Sequence, residues 1–366
     1  MTNKKIFFVL EDVSVEYGGP IKSIASLEIF LEQKGFSCHI VHASLNFLSK
    51  RKSKFKNTFS FYKSIISLIK IKFLREKVLI IFNNQWTPAV QILGWFCVIL
   101  NIEYFWWIRG VPNYKSSFKK RIVWSLSQKY LFRNANMIVG SSELSIKRIQ
   151  GFFSKRLNTL EIPNQITFPS KKMNDSKLNN NYYFELNLKE KAVEEIIILS
   201  IGRIHHTKNL ITIIKNLKNN LFDRKVRLVF AGYSNNKSYV EKLKAEARKQ
   251  DIKIEILENI DNKQKNFLFS LADIFVSMSQ IENFGHSIAE ALSSGLPVVI
   301  NKETDFWPYF DFENIYLTDS SNLNEKIEDA YLHSRNKNKD ELAYLFKETW
   351  REFENKKYEY LLSKLI

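Results

Sequence analysis

The chain alternates short apolar runs with amphipathic stretches of helical period, and it does so twice along its 366 residues. Runs without polar alternation suit parallel strands buried on both faces, and the stretches between them suit the helices that cover such a sheet. In the first half Ile6–Leu10, Cys38–Val41, Val78–Phe82, Ile102–Trp107 and Met137–Val139 read as strands. Gly18-Gly19-Pro20 reads as a turn before a helix from Ile21 to Gln33, which Gly35 ends. An Asn/Lys-rich stretch from Lys171 to Asn181 interrupts the alternation as a linker or insertion. Strands then resume at Ile196–Ser200, Val226–Phe230, Ile252–Ile256, Ile274–Val276 and Val298–Ile300. Helices are expected from Leu210, over Ser238–Lys249 and over Gly285–Ser294, and a last long one runs to Ile366 with Asp340 as its N-cap. A chain of this length exceeds one ordinary hydrophobic core, so two doubly wound α/β domains with a cleft between them are expected.

Composition narrows the class. With 45% hydrophobic and 14% aromatic residues the chain has ample material to bury, which argues against disorder. The two cysteines, Cys38 and Cys97, sit in apolar strings and offer neither a disulfide framework nor a metal site. Ile6–Leu10 follows Met-Thr-Asn-Lys-Lys and suits a first strand better than a signal peptide. The longest apolar stretch, Val90 to Leu100, contains Gln91 and Gly94 and falls short of the roughly 20 residues that span a bilayer. The expected location is cytoplasmic, on the inner face of the plasma membrane.

That expectation rests on charge. The net charge is +17, and from Lys50 to Lys77 nearly every charge is positive, interleaved with Phe55, Phe59, Ile65, Ile69 and Phe73. A second patch holds Lys115, Lys119, Lys120, Arg121, Lys129 and Arg133. Basic residues alternating with large apolar ones suit an interfacial helix on anionic lipid. A lysine-rich, AT-biased composition is the plainer reading of the same numbers. Nucleic acid attracts the same charges, but no zinc-ligand spacing, RNP-like aromatic string or basic-zipper heptad supports base reading, so no nucleic-acid partner is expected.

Three features of the second half point to a diphosphate-bearing ligand. Strand Ile196–Ser200 runs into Gly202-Arg203, with Lys208-Asn209 opening the next helix, and open α/β sheets bind ligands at the carboxyl ends of their strands. A guanidinium grips phosphate oxygens bidentately and an ammonium acts as a mobile point charge; the plain alternative is a surface Arg and a helix-entry Lys. Next, Glu282-Asn283-Phe284-Gly285-His286 leads from a strand into a helix, where backbone amides favour phosphate and Gly285 permits its close approach. A carboxylate at Glu282 makes sense there as an acceptor for sugar hydroxyls. Finally, Glu290 lies among Ile288, Ala289, Ala291 and Leu292, company a carboxylate seldom keeps without partners. It suits the vicinal hydroxyls of a ribose, against the alternative of a locally paired helix residue.

Together these residues resemble a known family. Glu282…Glu290 with Phe284-Gly285 between, running on through Gly295-Leu-Pro297-Val-Val299, is similar to the Glu-x7-Glu signature of family 4 retaining glycosyltransferases, group 1, of the bacterial surface-polysaccharide type. Gly202-Arg203 with Lys208-Asn209 resembles that family's Gly-Arg-x4-Lys element, and Phe230-Ala231-Gly232 and Ala272-Asp273-Ile274 match further. The likeness is close from Ile196 to Ile300. It is looser earlier, at Gly18-Gly19, Trp107-Ile-Arg109-Gly110, Ser141-Ser142-Glu143 and Ile162-Pro163-Asn164. There are departures. Asn83-Asn84-Gln85-Trp86 stands where many members carry a His, Met278 replaces a Pro, and Glu258-Asn259-Ile260 replaces Gly-x-Val. The first leaves the acceptor-side catalytic group unassigned.

The resemblance implies the GT-B fold: an acceptor-binding domain over 1–168, a linker over 169–190, a nucleotide-sugar-binding domain over 191–340, and a helix over 341–366 returning to the first domain. It implies Arg203, Lys208 and Glu282 as catalytic residues. Gly18, Gly19, Gly202, Gly232, Asn283, Phe284, Gly285, His286 and Glu290 are implied to hold the donor. No cofactor or metal is implied, and no Asp-x-Asp cluster is found. The implied partners are a nucleotide-sugar donor and a saccharide or lipid-linked saccharide acceptor for capsule, lipopolysaccharide or exopolysaccharide assembly. Competing readings are a phosphorylase, an epimerase, or a catalytically silent membrane-surface binder with the same fold.

Overall fold

The computed structural model describes residues 5–10, 19–43, 58–60, 65–66, 69–70, 77–83, 86–108, 117–166, 168, 182–183, 185–192, 194–234, 236–279, 282, 284–304 and 312–365. The chain divides into two compact units, residues 1–165 with 354–366, and residues 166–353.

In the first unit β1 (Lys5–Leu10), β2 (Ser37–His42), β3 (Thr58–Ser60), β4 (Val78–Phe82), β5 (Glu103–Ile108), β6 (Met137–Gly140) and β7 (Thr159–Glu161) form one sheet in the order 3-2-1-4-5-6-7. Every pairing is parallel. Side chains of β4 divide by parity: Leu79 and Ile81 enter one core layer, Val78, Ile80 and Phe82 the other. That two-sided burial is why the strand carries no polar residue. Helix α1 (Gly19–Gln33) begins two residues earlier than expected, so Gly19 and Pro20 form its first turn rather than a free turn. Pro fits there because its missing N–H would have no helical partner. Gly35, at φ 87°, closes the helix while the Phe36 amide bonds the Leu31 carbonyl. Helix α2 (Pro88–Leu100) is the uncharged stretch that ended short of a membrane span, and no helix among the described residues is long and apolar enough to cross a membrane. Helix α3 (Phe118–Val123), a π-helical turn (Trp124–Gln128) and α4 (Lys129–Asn134) follow one another without a break, and α5 (Glu143–Gln150) is capped reciprocally by Ser142 and Ser145.

The basic stretch from Lys50 to Lys77, expected as an interfacial helix, lies mostly outside the described residues. In its described part Thr58–Ser60 form β3, a strand paired parallel with β2, which corrects the helical expectation there, whereas Ile65, Ile66, Ile69 and Lys70 are helical.

In the second unit β8 (Glu195–Ile201), β9 (Asn220–Leu221), β10 (Arg224–Gly232), β11 (Lys253–Glu258), β12 (Ile274–Ser277), β13 (Val298–Asn301) and β14 (Ile315–Thr318) form a sheet in the order 11-10-8-12-13-14, with β9 antiparallel on β10. Along β8, Ile197 and Leu199 pack into one layer and Ile196 and Ile198 into the other. The covering helices are α6 (Leu210–Asn216), α7 (Lys237–Lys249), α8 (Asn262–Leu271), α9 (His286–Leu292) and α10 (Leu323–Asn336). Of the expected linker, 169–181 lies outside the described residues, but Tyr182, Tyr183, Leu186 and Leu188 pack into this unit's core, with the Tyr183 ring edge-on to Phe267.

The last helix, α11 (Lys339–Leu365), starts one residue before the expected cap. Asn338 is the cap instead, its side chain accepting from the Asp340 amide at 2.9 Å. Phe346 and Trp350 belong to the second unit's core, and Tyr358, Leu361 and Leu365 to the first unit's, among Ile24, Leu27 and Leu31.

Candidate functional site

In an open α/β sheet the strand order reverses at one point, and the two strand ends there leave a crevice that adjacent crossovers do not fill. In the second unit the reversal falls between β8 and β12. Of the predicted residues, Gly202, Arg203 and Lys208 lie at these strand ends.

Beyond β8 the chain passes Gly202-Arg203 and enters a short 3-10 turn, His206–Lys208. Asn209, in the left-handed region at φ 52°, then redirects it into α6. The turn brings the Lys208 side chain back over Gly202, where an added Cβ would stand 3.4 Å from Lys208 Cε. Gly232, ending β10, is the tighter glycine: its φ is 146°, and a Cβ there would lie 2.0 Å from the Gly202 carbonyl oxygen. Gly202, Arg203, Lys208, Phe230 and Ser277 line a small pocket at these strand ends. Arg203 is exposed and makes no ion pair among the described residues. The His205 and His206 rings lie against each other, tilted by 41° with centres 3.9 Å apart, and partial burial, helped by the neighbouring His206 and Arg203, lowers the His205 pKa.

From β12 the chain crosses buried Ser279, whose hydroxyl reaches the Thr207 carbonyl at 3.4 Å, to Glu282. The Glu282 carboxylate is ion-paired with Lys208 Nζ, and both side chains are about four-fifths buried. Phe284 is buried edge-on against Trp350, ring centres 5.6 Å apart, which ties this loop to α11. Gly285 takes φ 74° as the N-cap of α9, with no side chain capping the helix. That conformation suits a residue without Cβ and turns the loop sharply into the helix.

Glu290 projects from the second turn of α9 into the interior and is only 9% exposed. Its carboxylate is satisfied by Lys265 Nζ, 2.6 Å away on α8. Asp261 and Gln264 form the capping box that starts α8, and they fix the turn from which Lys265 reaches Glu290. Sequence reasoning missed Lys265, which stands in a polar run, Asn262-Lys263-Gln264-Lys265-Asn266, with no local mark distinguishing it from a solvated lysine.

Of the predicted set, the structure brings Gly202, Arg203, Lys208, Gly232, Glu282, Phe284, Gly285, His286 and Glu290 into the second unit around β8, β10 and β12. Gly18 and Asn283 lie outside the described residues. Gly19 opens α1 in the first unit. Among the described residues no group of His, Cys, Asp and Glu is arranged to hold a metal ion.

This arrangement is the GT-B fold of glycosyltransferases: two Rossmann-like units with charged residues at the strand-order reversal of the second. Residues 185–340 match the family model of glycosyl transferases group 1. The chain is similar to the mannosylglucosylglycerate synthase of Petrotoga mobilis, at 27% identity over 173 residues, 40% of each chain. It thus spans two-fifths of the length of that curated relative. Among solved structures it is similar to Anabaena HepE, solved with UDP and glucose, at a TM-score of 0.63 and 15% identity, covering 95% of this chain and 99% of that one. It is also similar to the lipopolysaccharide outer core galactosyltransferase WaaB, at a TM-score of 0.71 and 12% identity, covering 99% and 100%.

Proposed function

We propose that the chain is a retaining glycosyltransferase of family 4 that moves a sugar from a nucleotide-sugar donor to a saccharide acceptor. The observation that carries this reading is the pairing of both motif carboxylates with lysines in one unit, Glu282 with Lys208 and Glu290 with Lys265. Lys208 lines the small pocket at the strand ends, and an ion pair with one member there can exchange partners when a ligand of matching charge enters. A donor diphosphate draws Lys208 away from Glu282, which is then released to accept hydrogen bonds from the sugar hydroxyls. Arg203, exposed beside it, completes the neutralisation. Glu290 receives the ribose hydroxyls while Lys265 keeps its carboxylate oriented. The backbone at Phe284–His286 and the glycines Gly202 and Gly232 admit the phosphates closely.

In the reaction, the bond from the anomeric carbon to the diphosphate oxygen breaks as the acceptor oxygen bonds that carbon from the same face. The acceptor proton passes to the departing phosphate, giving a glycoside and a nucleoside diphosphate. Charge developing on that phosphate is met by preorganised cations, commonly the largest catalytic term. Glu282 acts as a sugar-binding carboxylate, not a covalent nucleophile. The two glycines Gly18 and Gly19 are proposed to approach the donor phosphates, and Asn283 to line the donor site. Since protein cations meet the leaving group, turnover is expected to survive EDTA.

The acceptor is proposed to be a lipid-linked saccharide in cell-surface polysaccharide assembly, with the protein peripheral on the inner membrane face. Support comes from the basic first unit and from the likeness to a protein described as acting on lipopolysaccharide. Incubation with UDP-, GDP- and ADP-sugars, followed by nucleotide release and by NMR assignment of the product anomer, tests the reading. Release from one donor with retained configuration supports it. An inverted product removes the retaining mechanism, and phosphate-dependent cleavage or donor epimerisation favours a competing GT-B activity.

A further inference from the structure

The helix formed by α3, the π turn and α4 buries Trp124, Gln128, Leu131 and Phe132, yet it leaves Phe118 75%, Ile122 43%, Leu126 74% and Tyr130 46% exposed. These four recur every fourth residue. On an α-helix a four-residue step overshoots one turn by about 40°, so three steps would carry Tyr130 about 120° away from Phe118. The π turn takes back much of that drift. Its i→i+5 bond, from the Lys129 amide to the Trp124 carbonyl, adds about one residue to the turn. The result is an apolar stripe about 18 Å long from Phe118 to Tyr130.

A second helix extends it. Helix α2 has no charged residue, and it exposes Ile92 and, at 75%, Ile99. The stripes meet where Trp95 stacks on Tyr130, ring centres 5.0 Å apart, and where Trp95 Nε1 donates to Ser127 Oγ at 2.8 Å. Along the α3–α4 helix the charge has one sign. Between Glu103 and Glu143 the sequence contains no acidic residue, and the helix carries Lys119, Lys120, Arg121, Lys129 and Arg133.

We infer that this face of α2, α3 and α4 lies on an anionic lipid bilayer, with Phe118, Ile122, Leu126, Tyr130 and Ile99 entering the headgroup–acyl boundary. An apolar stripe flanked by cations fits a surface that is apolar beneath and negative above. It does not fit a nucleic acid, which would leave the apolar side chains uncovered. The inference deepens the proposed membrane location by assigning it to these side chains. It needs no nucleotide, so its failure and that of the donor-site reading are distinguishable.

The test is co-sedimentation of the full chain with equimolar phosphatidylcholine–phosphatidylglycerol vesicles and with phosphatidylcholine vesicles, at low and high salt. The wild-type chain is expected to sediment with the anionic vesicles and, more weakly, to persist at high salt. Phe118→Ser with Leu126→Ser should lower partitioning about a hundredfold, roughly tenfold for each side chain, and leave only salt-sensitive binding. Lys129→Gln with Arg133→Gln should instead reduce the preference for anionic lipid about fivefold per charge. Unchanged thermal melting of each variant shows that the fold is kept. Sedimentation of the Phe118/Leu126 variant equal to wild type, or no sedimentation of wild type with anionic vesicles, overturns the inference. So does a wild-type dimer that this variant converts to monomer in analytical ultracentrifugation, since the face would then be covered by a second copy.

Discussion

Lys265 Nζ lies 2.6 Å from Glu290 Oε1, joining the start of α8 to the second turn of α9 across the second unit's core. Both side chains are more than four-fifths buried, so neither charge is left to water. Removing one partner of such a pair strands the other in a poor dielectric.

Lys265→Met is therefore expected to raise the donor KM about tenfold or more, the worth of a charged hydrogen bond, with kcat within about threefold of wild type. Lys265→Arg should restore most of the affinity, because a cation again faces the carboxylate. Steady-state kinetics separate these outcomes from general damage, which would lower kcat and the melting temperature together.

Gly232 and Gly202 should differ sharply on replacement by Ala. A Cβ on Gly232 meets the Gly202 carbonyl at 2.0 Å in a backbone conformation that L residues avoid, so Gly232→Ala should lower stability by about 2 kcal/mol or more and abolish donor binding. Gly202→Ala meets only the Lys208 side chain at 3.4 Å, and its cost should fall on donor affinity rather than on the fold. Urea unfolding and nucleotide-induced thermal shifts of the two variants check this.

Glu354 on α11 gives a pH dependence. Burial raises its pKa from 4.5 to about 7, and its Oε1 has no hydrogen-bond partner among the described residues. The folded chain therefore holds a proton that the unfolded chain releases between pH 4.5 and about 7. Stability carried by this group is present below the lower value and is lost as pH rises through that window. Glu354→Gln should flatten the decline and raise stability above pH 7 by about 1–3 kcal/mol, read from urea midpoints across the pH range.

Much of this architecture is legible in the sequence because parallel strands buried on both faces must be apolar throughout. Val78–Phe82 and Ile196–Ser200 stand out for that reason. Short or half-exposed strands do not: Thr58–Ser60 is hidden in a basic stretch, and Ile315–Thr318 pairs at the sheet edge with most side chains partly exposed. That Glu290 is buried with a partner is legible because it sits in apolar company that a carboxylate avoids without one. That this partner is Lys265 is not, because it reaches Glu290 only through the packing of α8 on α9. The exposed stripe was equally hidden, since every fourth residue drifts around an ordinary helix and only the π turn brings Phe118 and Tyr130 back toward one face.

The central claim, that Lys208 and Glu290 hold a nucleotide-sugar donor for transfer, is tested most directly by nucleotide release from a panel of UDP-, GDP- and ADP-sugars with wild type, Lys208→Ala and Glu290→Ala. The account predicts turnover with one nucleotide class. It predicts a kcat lower by about 10²–10³ for Lys208→Ala, the size expected on losing a preorganised charge at the leaving group. For Glu290→Ala it predicts a donor KM higher by at least about tenfold. No release from any of these donors by the wild-type chain, or turnover unchanged in both variants, would contradict it.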